Sequence, residues 1–153
     1  QSTSYNGSVA LLDTWATGWG DIFVVGNTGT IVYYDGSSWV SHTSGTINHL
    51  YSVWGTANTD VFSVGATGTI LHYNGSAWTA YTAITSKDLQ GIWGASSSNV
   101  KAVGKGGTII TYNGTSWKTE TSSTPFDLYG VWGTSTDGFF VVGDRAVILY
   151  KAK

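Results

Sequence analysis

Residues 50–88 read LYSVWGTANTDVFSVGATGTILHYNGSAWTAYTAITSKD, and one beat inside this stretch recurs through the whole chain. Trp54 has counterparts in Trp15, Trp93 and Trp132, each 39 residues from the next. Four positions before each stands a leucine (Leu11, Leu50, Leu89, Leu128), and eleven after it a glycine (Gly26, Gly65, Gly104, Gly143). Ile31, Ile70, Ile109 and Ile148 keep the same register. A fixed period near 40 marks one supersecondary unit that cannot bury its own apolar faces and must stack on copies of itself.

Within residues 50–88, Leu50 to Trp54 alternates and is rich in β-formers, which predicts a strand. Asp60 to Gly65 predicts a second strand, joined by Ala66-Thr67-Gly68 to a third over Thr69 to Tyr73. Asn74-Gly75 then supplies the positive φ angles that a type I′ hairpin turn needs. Trp78 to Ala83 predicts the fourth strand. Four short antiparallel strands at this spacing form one blade of a β-propeller. No stretch sustains a 3.6-residue period, so the class is all-β. The blades are expected at about 11–49, 50–88, 89–127, and 128–153 plus 1–5.

That last division follows from register. Lys153 falls at the position of Gly36 and Gln1 at that of Val40, so the ends leave three residues to complete four periods. Gln1 to Tyr5 therefore stands where an outer strand belongs. It is expected to complete the C-terminal blade, either within one chain or across two chains as an eight-bladed dimer. Closure of either kind removes an exposed strand edge.

Composition narrows the function classes. Of the 153 residues 10% are charged, with a formal net charge of -2, so no basic patch exists to collect phosphates and nucleic acid is not an expected partner. No apolar run approaches the length of a membrane span. Cysteine is absent, which removes disulfides and thiolate chemistry together. Methionine is absent too, and Gln1 is read as a start that is either processed or set by design. Low charge, many Ser, Thr and Gly, and 14% aromatic residues suit a mature secreted β-protein, so an extracellular setting is expected.

The pattern Trp-Gly-x4-Asp-Val-Phe-x-Val-Gly-x2-Gly-Thr-Ile-Leu-x-Tyr-Asn-Gly-x2-Trp, complete in the second copy, resembles repeats of bacterial secreted and surface propellers. It is similar in style to the photosystem-assembly-factor group. The resemblance implies the fold and carries no catalytic residue with it.

Two sets of residues are candidate ligand contacts. Trp39, Trp78 and Trp117 each follow a hairpin turn on an outer strand. An indole face flanked by hydroxyls would suit the apolar face of a sugar, while packing across the sheet is the structural reading. The second set lies on the face opened by the loops after each second strand and between blades. It comprises Asn27, Lys105, Asp144 and Arg145, then His49, Asp88 and Asp127, with Tyr51 and Tyr129 following. Loops on a rigid scaffold commonly carry function, although these positions also suit neutral drift on a solvated rim. The Trp15 series is expected to be mortar between blades.

Metal and cofactor chemistry is not expected. His42, His49 and His72 occupy three different repeat positions, with no ligand spacing between them. Catalysis is not expected either. Glu120 is the single glutamate, and Asp13 and Asp127 are the conceivable carboxylate partners for a glycan-cleaving enzyme. The leading expectation is a non-catalytic, lectin-like module that binds a glycan or another surface ligand in inter-blade grooves or on the loop face. The alternative is a structural, self-assembling scaffold without a small ligand, in which the outer-strand indoles would be buried. A glycan-cleaving enzyme ranks behind both.

Overall fold

A computed structural model describes residues 4–5, 7–134 and 138–152. They form four antiparallel sheets in chain order. The first holds β1 (Leu11–Gly18), β2 (Asp21–Gly26), β3 (Ile31–Tyr34) and β4 (Trp39–His42). The second holds β5 (Leu50–Ala57), β6 (Asp60–Gly65), β7 (Ile70–Tyr73) and β8 (Trp78–Ala80). The third holds β9 (Leu89–Ser96), β10 (Asn99–Gly104), β11 (Thr108–Tyr112) and β12 (Trp117–Glu120). Among the described residues the fourth has three strands, β13 (Leu128–Thr134), β14 (Gly138–Gly143) and β15 (Ile148–Lys151). Each strand pairs with its neighbour in sequence, so every sheet is a meander and one blade. β8 is shorter than the pattern predicts, because after Ala80 a single ladder bond remains, from Tyr81 N–H to the Ile70 carbonyl at 3.0 Å.

The repeat glycine before each second turn is required by close backbone approach. A Cβ on Gly65 would lie 2.0 Å from the His49 carbonyl oxygen, and one on Gly104 would lie 1.9 Å from that of Asp88. Those carbonyls accept the Ala66 and Lys105 N–H groups at 2.9 Å, tying each turn to the start of its own inner strand.

The cores lie between blades. Phe23, Val25 and Ile31 of the first blade pack against Leu50, Val53, Val61 and Leu71 of the second. Phe62, Val64 and Ile70 meet Leu89, Ile92, Val100 and Ile110 in the same way. Val103 and Ile109 meet Leu128, Phe139 and Val141. Each such side chain, fully buried, contributes about 1.5–3 kcal/mol of hydrophobic stabilisation. The 39-residue tryptophans bridge the blades: a Cβ on Gly55 would come 2.9 Å from the Trp15 ring, and one on Gly94 would come 2.4 Å from the Trp54 ring.

The arc does not close on itself. β1 packs on β5, β5 on β9 and β9 on β13, but β13 has no comparable contact with β1. Among the described residues, none forms a further blade over the outward face of the last one. Trp132 is 62% exposed and Ile148 71%, whereas Ile31, Ile70 and Ile109 at the latter position are 1% exposed. The expected completion of this blade by Gln1 to Tyr5 falls partly outside the described residues, since Gln1, Ser2 and Thr3 are not among them. Ser4 and Tyr5 lie in no strand. In the first three blades the chain returning from the outer strand passes a glycine of positive φ, with the Thr46, Thr85 and Thr124 carbonyls about 2 Å from where its Cβ would be. The last blade has Ala146 there, at φ 60. A strand completing it must therefore take a different return path.

Candidate binding groove

Three facing positions follow one rule in two blades and another in the third. In the first blade Phe23, Tyr33 and His42 form an aromatic triad, with ring centroids 4.7 Å apart for Phe23–Tyr33 and 5.4 Å for Tyr33–His42. Phe62, His72 and Tyr81 repeat it, with Phe62 stacked on His72 at 4.3 Å. In the third blade the same positions hold Lys101, Thr111 and Glu120. The strand pairing brings them together: Lys101 lies opposite Thr111 on β11, and Glu120 on β12 is one strand further out.

The exchange replaces packed aromatic rings with an aliphatic ammonium and a carboxylate held in fixed geometry. Lys101 Nζ donates to Glu120 Oε1 and to Thr111 Oγ1, both at 2.9 Å, and Thr111 also donates to Glu120. The ammonium lies 4.8 Å from the centroid of the Phe139 ring on the next blade, a cation–π contact. Burial pushes the Glu120 carboxyl upward, but the hydrogen bonds from Thr111 and Lys101 together outweigh it and hold the group below its ordinary value.

A hollow of about 460 Å³ opens beside this group, between the third and fourth blades. Trp93 and Phe139 supply apolar walls, while Asn99, Lys101, Glu120 and Lys151 supply polar ones. Between blades one and two, Trp78 fills the corresponding space, edge-on to Phe23 at 6.0 Å. Trp117 does so between blades two and three, edge-on to Phe62 at 6.2 Å. Among the described residues no indole stands there in the last blade. The polar triad was not singled out as a site in the sequence. Its one signal was a lysine in a repeat position that is otherwise phenylalanine.

Two of the three outer-strand tryptophans, Trp78 and Trp117, are buried and are not exposed ligand platforms. Trp78 is 9% and Trp117 7% exposed, each driven into an inter-blade core by the aromatic triad it covers. Trp78 Nε1 donates to His42 Nδ1 at 3.3 Å. Trp39 is half-buried and packs on Tyr34, with centroids 5.1 Å apart.

On the loop face, three candidates act as braces between blades. The Thr28 N–H donates to His49 Nδ1 at 3.0 Å, the Thr67 N–H to Asp88 at 2.9 Å, and the Gly106 N–H to Asp127 at 2.8 Å. Lys105 approaches Asp88 at 3.3 Å. Asn27 opens its turn, where its carbonyl accepts the Thr30 N–H at 3.1 Å. Tyr51 packs near His49, with centroids 6.3 Å apart, and Tyr129 is 51% exposed. At the fourth turn the Arg145 N–H is taken by Asp144 of the same turn at 2.8 Å. Asp13 braces the first two blades, accepting from Ser52 Oγ at 2.7 Å and Val53 N–H at 2.9 Å. The loop face is thus largely committed to holding blades in register.

Among the described residues no three His, Asp or Glu side chains gather as a metal would need, and no helix is long and apolar enough to cross a membrane. No protein family matches the chain, and no curated protein does. Solved structures do. YCF48 from Cyanidioschyzon merolae aligns at 15% identity and a TM-score of 0.74, covering 94% of this chain and 51% of that one. YCF48 bound to D1 peptide aligns at 15% identity and a TM-score of 0.76, covering 95% and 51%. The chain therefore spans about half the length of the YCF48 chains it matches. The computationally designed Ika4 protein aligns at 12% identity and a TM-score of 0.78, covering 98% of this chain and 95% of that one. At such identities the likeness establishes the fold alone: the chain is a β-propeller unit of four blades.

Proposed function

We propose that this protein is a non-catalytic binding module whose ligand groove is the hollow between the third and fourth blades. One observation carries the reading: the aromatic triad of blades one and two is exchanged, at all three positions together, for the bonded group Lys101, Thr111 and Glu120 beside an unfilled space. Drift would alter such positions singly and leave a buried charge without a partner, which is strongly unfavourable.

The ligand class that fits is a glycan. The Trp93 indole offers a flat apolar wall for the C–H face of a sugar ring, while the Asn99 amide and the Lys101–Glu120 pair offer donors and acceptors to its hydroxyls. Lys101 and Lys151 present two ammonium groups against the single Glu120 carboxylate, so an acidic sugar is favoured over a neutral one. The YCF48 structure with its D1 peptide supports a binding role for this fold. The low charge accords with work outside the cell.

Titration with neutral and acidic monosaccharides, followed by tryptophan fluorescence and calorimetry, tests the reading. Saturable binding of an acidic sugar, abolished in Lys101→Ala, is the expected result. No binding of any sugar at millimolar concentration would refute it. The second reading, a scaffold without a small ligand, is favoured by the burial of Trp78 and Trp117, and the same null titration would select it.

A further inference from the structure

The two ends of the arc carry opposite halves of one repeated interface. Within the chain, the outward face of each blade receives the inward face of the next. Among the described residues the last outward face has no such cover: Trp132 is 62%, Phe140 47%, Val142 48% and Ile148 71% exposed. Phe62, Val64 and Ile70, the counterparts of the last three, are at most 1% exposed. The first inward face is likewise under-covered. Leu11 is 40% exposed where Leu50, Leu89 and Leu128 are fully buried, and Ile22 and Val24 are half-buried where Val61 and Ser63 are fully so.

We infer that these faces are an interface between two copies of this chain, which close an eight-bladed ring with two-fold symmetry. The occupant of each bare face is the opposite end of a second copy, because the chain already makes that contact three times internally. The four blades leave the arc open, and two such four-bladed units side by side make eight. A head-to-tail contact that closes gives a ring and ends growth. Each seam would bury Trp132 and Phe140 with several aliphatic side chains, and at about 150–250 Å² for each aromatic two seams would pass the roughly 1,000 Å² that a stable association needs.

The seam departs from the internal contacts in two places. Ala16 stands where Gly55 and Gly94 receive the preceding tryptophan ring, so its methyl meets Trp132 of the other copy and spaces the seam. Ala10 stands where His49, Asp88 and Asp127 brace the preceding turn, and at that turn Asp144 satisfies the Arg145 N–H internally. The inference is independent of the sugar reading, whose groove lies within one chain.

Light scattering coupled to gel filtration, on the native chain and two variants, tests it. The native protein is expected at twice the 16.2 kDa chain mass. Ile148→Lys combined with Phe140→Asp is expected to raise the dissociation constant about 100-fold or more, giving one-chain mass with an unchanged far-ultraviolet spectrum, since both side chains are exposed in the single chain. Ala16→Gly is expected to lower it about tenfold or more. A native one-chain mass at micromolar concentration, a three-chain or open-ended series, or a two-chain mass that survives the double substitution would each overturn the inference. Sugar binding retained by the one-chain double variant would separate this outcome from that of the groove.

Discussion

Gly94 lies so close to the Trp54 ring of the preceding blade that a Cβ there would meet Cη2 at 2.4 Å. The contact joins two beats of the repeat, the tryptophan of one blade and the residue after the tryptophan of the next. Neither partner has room to retreat, because Trp54 is packed against a buried cluster that includes Phe62, Leu89 and Ile92. Gly94→Ala is expected to destabilise the chain by about 1–3 kcal/mol in urea unfolding, as overpacked cores do. Gly18→Ala is the control, since nothing lies within 4 Å of its added Cβ, and a similar loss there would contradict the account.

Asp88 and Asp127 act between blades through backbone N–H groups, so their removal should loosen the contact without affecting a ligand. Asp88→Ala is expected to cost about 0.5–1.5 kcal/mol, the usual worth of one hydrogen bond. Hydrogen exchange of the Thr67 amide, which Asp88 accepts at 2.9 Å, is the direct readout and should accelerate. An unchanged rate would show that Asp88 does not brace the turn.

The groove gives the stability a pH dependence on the acid side. Glu120 is held below its ordinary value of 4.5 by Thr111 and Lys101, despite the upward push of burial. A depressed carboxyl contributes stability that is present above its unfolded-state value and is lost as pH falls through the folded one. The melting temperature of the native chain should therefore fall as pH drops below about 4.5, and fall less in Glu120→Gln. Parallel curves would contradict the assignment.

The first blade gives a matching signal on the alkaline side. The Tyr33 hydroxyl donates to Asp21 at 2.5 Å, and that bond, reinforced by burial, pushes the phenol up to about 12. A raised phenol contributes stability that is present below the ordinary value of 10.0 and is lost as pH rises through the folded value. Burial and a hydrogen bond to the Tyr112 hydroxyl push the Tyr81 phenol up as well. In an ultraviolet titration two tyrosines should therefore ionise late, and Tyr33→Phe should remove one of them. An undiminished late component in Tyr33→Phe would place the perturbed phenol elsewhere.

The sequence and the structure agree where a residue repeats and part where it does not. Leu50, Gly65 and Ile70 announced the blade because each blade must meet its neighbour in the same way. The direction of Trp78 and Trp117 was not legible, since a strand pattern says which face a side chain takes but not whether another blade covers that face. Lys101, Thr111 and Glu120 are ten and nine residues apart, and only the pairing of β10, β11 and β12 makes them one group. His49, Asp88 and Asp127 looked like rim variation. Comparing them with Ala10 would have shown acceptors at three internal contacts and none at the end of the arc.

The central functional claim rests on where a ligand sits. Nuclear magnetic resonance of the isotope-labelled protein during titration with glucuronic acid tests it most directly. The account predicts shifts at the Trp93 indole N–H and at the Asn99, Lys101 and Glu120 amides, with Tyr51, Lys105 and Tyr129 unmoved. Shifts confined to the loop face, or none at saturating sugar, would contradict it.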